Sequence, residues 1–560
     1  MGLDYLLVHI TYTIPPALLL TLIYHPLQTR LDTYKLLFIL SVAILATIPW
    51  DSYLLHQHIW AYPPTAVLGP TLFLIPLEEL FFFFIQTYNT ALLYMLLTKP
   101  TLHVAYLHEI RKGGIKRPWG NGVAGAVGLA VSIVWAGAAL RSSGEGTYMA
   151  LIWVWAGPVV LGLWCVAYSH LLALPRRCTL LPIILPTIYL WIVDTLALRK
   201  GTWVINHGTK LNIQIWPHLE IEEAVFFAIT NVLIVVGLVT VDYALALHAA
   251  FPTLFPGATT GGEAIMGGLK ALAWKWKGSP TEDEYWGIPE AVEILREKSK
   301  SFYLASSVFE GRLRLDLICL YSFCRAADDL IDEAPSLTSA TASLQNLRTF
   351  LTLSYTPVSA RKLHTFVHNT FPPWSHAALL SLPTKHLTLA PLLGLLDGFE
   401  IDLLFTSTSA TPIKTTQDLD RYAHHVAGTV GTMFTQLVLA HSSSSHSPPP
   451  DEKPSTALLQ AADTMGIALQ YINIARDIAK DALIGRCYIP ASWLREHSLT
   501  PCDILQDPDL GVKLARERFL MRAEGLYRET RGALRGLPVE ARAGAVVAVE
   551  AYVDIGRRLR

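Results

Sequence analysis

Long apolar runs separated by short polar breaks fill the first 250 residues, and the pattern then changes character. Seven runs approach the roughly 20 apolar residues that a membrane-crossing helix needs. They lie at about 3–24, 34–50, 70–98, 121–140, 148–173, 179–198 and 221–248. The Pro15-Pro16 pair predicts a kink in the first, tolerable where neighbouring helices satisfy the freed carbonyls. From about residue 286 onward the periodicity is that of amphipathic, water-soluble helices with few breakers. The intervening 250–285 stretch is rich in Pro, Gly and Thr and reads as a linker. Within it "LKALAWKWKG" (269–278), with Trp274 and Trp276, is expected at the membrane surface. A polar stretch at 441–455, "HSSSSHSPPPDEKPS", predicts a disordered surface loop. The chain is thus expected to be all-α: a transmembrane seven-helix bundle over 1–249, a linker over 250–285, and a soluble helical domain over 286–560.

Composition sharpens this picture. Only 16% of residues are charged, against about a quarter in soluble proteins, and the mean hydropathy is +0.37. The 44 basic and 45 acidic residues nearly cancel, so no nucleic-acid partner is indicated. Six cysteines without metal-type spacing suggest buried thiols in a reducing compartment. Met1 to Tyr24 lacks the basic flank and small-residue cleavage site of a signal peptide, so it is read as the first span. Arg30, Lys35, Lys99, Arg111, Lys112, Lys116, Arg117, Arg176 and Arg177 fall on one side of this topology; Arg141, Arg199, Lys200 and Lys210 fall on the other. The richer side should be cytoplasmic, and the soluble half emerges there.

The apolar half repeats itself. "PWDSYLLHQHIW", a Pro/Gly loop and "PLEELFFFF" are echoed by "IVDTLALRKGTW", a loop and "EIEEAVFFA". In each copy an Asp (Asp51, Asp194) closes an apolar helix and a Trp (Trp60, Trp203) follows. A Glu pair (Glu78-Glu79, Glu222-Glu223) then opens the next helix. This predicts a duplicated three-helix unit, with the 121–140 helix as connector. Both copies share one orientation, which puts six carboxylates at one depth about a pseudo-two-fold axis. Adjacent helical residues point about 100° apart, so one Glu of each pair should face the bundle. Single acidic residues at helix starts are ordinary complements to the helix dipole. Paired ones inside a membrane usually mark function. Carboxyls in an apolar site, close to one another, hold a proton at neutral pH, and Trp and Phe faces stabilise a developing cation. That combination suits protonation of an alkene in a lipid-soluble substrate. Two other motifs carry less. "GNGVAG" (120–125) lacks the strand–turn–helix context of a dinucleotide site, and His56 and His58 lack further metal ligands nearby.

The repeated "PWD…W…PLEE" pattern resembles the membrane lycopene cyclase domain of fused fungal carotenoid enzymes, over roughly residues 1–245. The resemblance implies β-cyclisation of lycopene to β-carotene by way of γ-carotene, without net redox change. It implies acid and base roles for Glu78, Glu79, Glu222 and Glu223, with Asp51 and Asp194 in support.

In the soluble half, "LYSFCRAADDLIDE" and "ALQYINIARDIAKDALIGRCYIP" each place two aspartates four residues apart on one helix face: Asp328/Asp332 and Asp477/Asp481. Mg2+ relieves such like-charge pairs and binds substrate phosphates with its remaining positions. Two such faces could clamp a diphosphate and neutralise it as it leaves. Arg325 and Arg476 supply cations for phosphate oxygens. With "SKSFYLAS" (299–306), "DGFEIDL" (397–403) and "YAHHVAGTVG" (422–431), these stretches closely resemble the squalene/phytoene synthase family over about 287–560. The resemblance implies an all-α isoprenoid-synthase fold that condenses two geranylgeranyl diphosphates head to head. It implies Mg2+ (or Mn2+) at Asp328, Asp332, Asn473, Asp477 and Asp481. Diphosphate contacts are implied at Ser299, Ser301, Arg325, Tyr422 and Arg476, with Gln470 near the reacting carbons and Phe302 and Tyr321 in the cavity wall. No FAD or NAD is expected. Family members usually continue past "EAYVDIGRRLR", so one end of the cavity is expected to differ. The leading expectation is a bifunctional carotenoid enzyme with lycopene, geranylgeranyl diphosphate, the bilayer and a phytoene desaturase as partners. The competing one joins a squalene- or dehydrosqualene-type synthase to a membrane anchor or proton-relay bundle.

Overall fold

A computed structural model describes residues 2–107, 119–141, 144–206, 208–251, 261–273, 287–357, 359–405, 411–442 and 456–560. The chain divides into two compact units, Met1–Glu284 and Tyr285–Arg560.

Seven helices of the first unit are long and apolar enough to cross a membrane: α1 Asp4–Leu27, α2 Arg30–His56, α3 Leu77–Thr98, α4 Trp119–Ala139, α5 Thr147–Ala173, α6 Arg176–Lys200 and α7 Ile221–Ala250. An eighth, α8 Gly261–Ala273, packs against α7 inside the stretch read as linker. A Cβ on its Gly268 would sit 2.4 Å from the Ala244 carbonyl oxygen, so glycine allows the close approach. Trp274 and Trp276 lie outside the described residues, as do 443–455 of the expected surface loop.

Several boundaries differ from the sequence reading, for identifiable reasons. α3 begins at Leu77 rather than near 70, because β2 (Thr71–Leu72) and β3 (Ile75–Pro76) form a hairpin. Its two-residue turn, Phe73-Leu74, has φ of 51° and 71°, positive at both positions as a type I′ turn requires. Asp51 and Asp194 do not end their helices; each sits more than one turn inside. Just before the Pro15-Pro16 pair, where a kink was expected, α1 contains a π-helical turn, His9–Thr13. Such turns absorb a disrupted ladder and recur at functional sites. Lys35 and Lys99, counted as loop cations, are buried in ion pairs. Lys35 Nζ lies 3.0 Å from Asp242, and Lys99 Nζ lies 2.5 Å from Asp32.

The duplication is visible in the hydrogen bonding. The Leu68 N–H donates to Glu78 and the Leu211 N–H to Glu222, both at 2.6 Å. Tyr5 donates to Glu79 as Tyr148 donates to Glu223. Strands β1 (Trp60–Ala61) and β4 (Val204–Ile205) are equivalent in the two copies and pair antiparallel, with Ala61 opposite Val204. Pairing of equivalent residues in antiparallel strands is what a pseudo-two-fold axis through the pair produces. The hairpin of β5 (Gln214–Trp216) and β6 (Leu219–Glu220) mirrors β2–β3.

The second unit is all-α among its described residues. Its long helices Gly311–Asp332, Thr456–Leu483, Pro508–Thr530 and Val539–Arg558 bury a Leu-, Ile- and Phe-rich core. The "YAHHVAGTVG" stretch contains a π turn, His424–Gly428, packed hard on the Thr456–Leu483 helix. A Cβ on Gly466 would lie 2.3 Å from the Ala427 carbonyl oxygen.

Candidate active sites

In the membrane unit α2 and α6 bring Asp51 and Asp194 to the end of the bundle where α3 and α7 begin. All six carboxylates are buried, none more than 6% exposed. One Glu of each pair was expected to face the bundle; both members of each pair are buried. Glu78 and Glu222 turn back to cap loop N–H groups, while Glu79 and Glu223 take tyrosine hydroxyls. Both orientations are buried because the hairpins fold over the helix starts.

Asp194 lies within electrostatic reach of Glu223 and Glu79, and Asp51 of Glu79, so the repeats share one cluster. The copies differ in detail. Trp203 Nε1 donates to Asp194 Oδ1 at 3.2 Å. Its counterpart Trp60 Nε1, and both oxygens of Asp51, have no hydrogen-bond partner among the described residues. Aromatic rings enclose the cluster: Trp203 against Tyr5, Trp60 edge-on to Tyr148 and Phe82 edge-on to Phe227. Sequence reasoning missed Tyr5, Tyr62 and Tyr148. The only available signal was that Tyr5 and Tyr148 share the 143-residue offset of the two aspartates. Tyr62, in the loop after β1, also bonds Glu79; burial and that carboxylate push its hydroxyl well above the usual range.

In the second unit Asp328 and Asp332 stand on the Gly311–Asp332 helix, and Asp477 and Asp481 on Thr456–Leu483. Arg486, just past the end of the Thr456–Leu483 helix, reaches across to Asp332 at 2.6 Å. Asp402, at the end of the Leu389–Asp402 helix, feels Asp332, and both Asp328 and Asp481 feel Asp402. It accepts from Tyr488 at 2.7 Å and Tyr422 at 3.2 Å. Burial and the neighbouring carboxylates hold Asp328 and Asp481 at about 7, and burial lifts Asp402 to about 6. Asp477 goes the other way: burial is outweighed by its bonds to Arg476, which lower it.

Arg325 pairs with Asp328 at 3.2 Å and Arg476 Nε with Asp477 at 3.0 Å, so both arginines border the cluster. Asn473 Nδ2 donates to Gln470 Oε1 at 3.3 Å, leaving Asn473 Oδ1 buried without a hydrogen-bond partner among the described residues. Phe302 stacks on Tyr321 at 5.1 Å. Ser299 caps its helix by accepting from the Phe302 N–H, and the Ser301 side chain lies outside the described residues. Tyr422 reaches the carboxylates through Asp402. Asp402, Arg486 and Tyr488 were missed as site residues, although all three lie in motifs singled out for other reasons. A separate trio, Asp316, His386 and His441, brings three ligand atoms within 4.8 Å of one another.

The squalene/phytoene synthase family model matches residues 295–560. Over its whole length the chain belongs to the family of bifunctional lycopene cyclase/phytoene synthases. It is 48% identical to the "Bifunctional lycopene cyclase/phytoene synthase" of Gibberella fujikuroi, covering 100% of this chain and 95% of that one. Identity to the proteins of the same description from Phaeosphaeria nodorum and Arthroderma gypseum is 48% and 42%, covering 95% and 96% of them. Among solved structures, a dehydrosqualene synthase in complex with ligand matches 48% of this chain and 84% of its own, with 25% identity and a TM-score of 0.37.

Proposed function

We propose that the chain catalyses two steps of carotenoid synthesis: condensation of two geranylgeranyl diphosphates to phytoene, and β-cyclisation of lycopene. The observation that carries the reading is the pair of aspartate clusters in one unit and the shared carboxylate cluster in the other, in a chain nearly half identical to enzymes named for both reactions.

For the condensation, the donors around Asp328, Asp332, Asp477 and Asp481 are all oxygen, and Asn473 Oδ1 is a further buried oxygen lacking a partner. Such a set fits a hard divalent cation, Mg2+ or Mn2+. When bound, the ions would neutralise the departing diphosphate. Arg325 and Arg476 stand ready at both flanks to pair phosphate oxygens, and Arg486 ties one aspartate helix to the other. Phe302 and Tyr321 present an aromatic wall to developing carbocations.

For the cyclisation, Glu79 and Glu223 are the groups that deliver and remove the proton, and Asp51 and Asp194 support them. Glu78 and Glu222 hold the loops over the site through Leu68 and Leu211. A proton goes to the terminal double bond, the ring closes, and a ring proton returns to a carboxylate, so no redox cofactor is consumed. Phytoene must be desaturated between the two steps, which requires a separate desaturase. The synthase unit lies on the cytoplasmic side, where loop cations are richer.

Pigment analysis in lycopene-accumulating bacteria tests the cyclase reading. Wild type should yield β-carotene, Glu79→Gln and Glu223→Gln should yield none, and Glu78→Gln should retain part of the activity. Wild-type conversion by both inactive-class variants would overturn the acid–base assignment.

A further inference from the structure

A cavity of about 320 Å3 opens in the membrane unit among α1, α3 and α6. That is within the range of about 300–1,000 Å3 that ligand pockets occupy. On three helices its lining shares a face with residues of the carboxylate cluster. On α3, Glu79 is followed at three- and four-residue steps by Phe82, Gln86, Asn89 and Leu93, all but the Glu lining the cavity. On α1 the same spacing runs from Tyr5, bonded to Glu79, through His9 to Thr13 and Pro16. On α6 it runs from Asp194 back to Leu190 and Pro186. Residues at these spacings share a helix face. Pro16 and Pro186 line it, and neither can donate an N–H to its helix's hydrogen-bond ladder.

The lining is apolar in effect. Gln86 donates to Thr230, Thr90 to Asn231, and the Asn89 amide to the Thr13 carbonyl, so donors are turned into the protein. The pseudo-symmetric position is packed differently. There the counterpart of Leu93 is Gly237, against which Ile39 of α2 packs; a Cβ would meet it at 3.1 Å. Trp155 of α5 stacks on Trp50 at 5.0 Å and on Phe226, the counterpart of Phe82, at 6.4 Å.

We propose that this cavity is the lateral mouth through which one end of a linear, acyclic isoprenoid hydrocarbon passes from the bilayer to Glu79 and Asp194. This rests on the cyclase reading for the identity of the hydrocarbon. The duplication supplies the carboxylates twice, whereas the Trp50–Trp155 stack is not repeated, Tyr12 and Val193 standing at the equivalent positions. An acyl tail of a lipid fits the same apolar walls but has no reason to extend to buried carboxylates.

Leu93 lies fourteen residues beyond Glu79, about 21 Å along the helix, so filling its space does not touch the acids. The full chain, purified into lipid nanodiscs with lycopene supplied, is assayed both for lycopene retained per protein and for cyclised product. Leu93→Trp should retain at least tenfold less lycopene than wild type and lose cyclisation in proportion. Ile184→Trp, on the exposed face of α6, and Leu93→Met should match wild type in both. If wild type retains lycopene that Leu93→Trp does not, the mouth is supported even where wild type fails to cyclise, an outcome that would sink only the cyclase reading. Wild-type retention by Leu93→Trp, or no retention by wild type, overturns the proposal and leaves the cavity to lipid.

Discussion

Asp328 and Asp481 show how a residue's surroundings set its proton affinity. An unperturbed aspartate titrates near 3.9, whereas burial and neighbouring carboxylates hold these two at about 7. Each binds its proton more tightly folded than unfolded. The stability they contribute to the metal-free chain is full below about pH 4 and is lost as pH rises through about 7. A divalent cation takes the deprotonated form, so it should protect most where the bare site is weakest. Thermal unfolding of the full chain in detergent should show a larger Mg2+-induced rise at about pH 8 than at about pH 6. Asp328→Asn should flatten that difference; a pH-independent Mg2+ effect in wild type would count against metal binding here. The acidic motifs were readable in sequence because i, i+4 spacing alone puts two carboxylates on one face. Asp402 was not, because its importance comes from which groups surround it.

At the level of elements, close helix contacts decide where glycine is needed. Gly466 of the Thr456–Leu483 helix abuts the Ala427 backbone, which cannot swing aside as a side chain would. Gly466→Ala should destabilise the synthase unit by about 1–3 kcal/mol, as overpacking of a tight core does. Gly525, in the Pro508–Thr530 helix, faces open space. Gly525→Ala should be neutral or stabilise by up to about 1 kcal/mol through helix propensity. Half-inactivation temperatures of phytoene synthesis for the two variants check the pair, and equal effects would refute the packing argument. The hairpins make the related point in the membrane unit. Apolar runs through Phe73 and Leu74 read as helix until the I′ turn is seen. Period and hydropathy do not report φ.

For the whole molecule, two compact units hold two unrelated carboxylate chemistries. Asp328→Ala should abolish phytoene formation while the same polypeptide still cyclises supplied lycopene, and Glu223→Gln should do the converse. Bacteria making geranylgeranyl diphosphate or lycopene, with pigments separated by chromatography, read both activities. Loss of both functions in either variant would show that the units act as one.

What the sequence determined by itself was everything local or periodic. The seven spans follow from apolar length, the duplication from the repeated Asp–Trp–Glu-Glu order, and both aspartate faces from helical spacing. Tertiary structure alone decided which groups meet: Tyr5 with Glu79, Tyr148 with Glu223, Asp402 between the two aspartate helices, and the cavity walls contributed by α1, α3 and α6. The two tyrosine–glutamate pairings join residues 74 and 75 apart in the chain. Spacing along one helix constrains its own faces and carries no information about what packs against them.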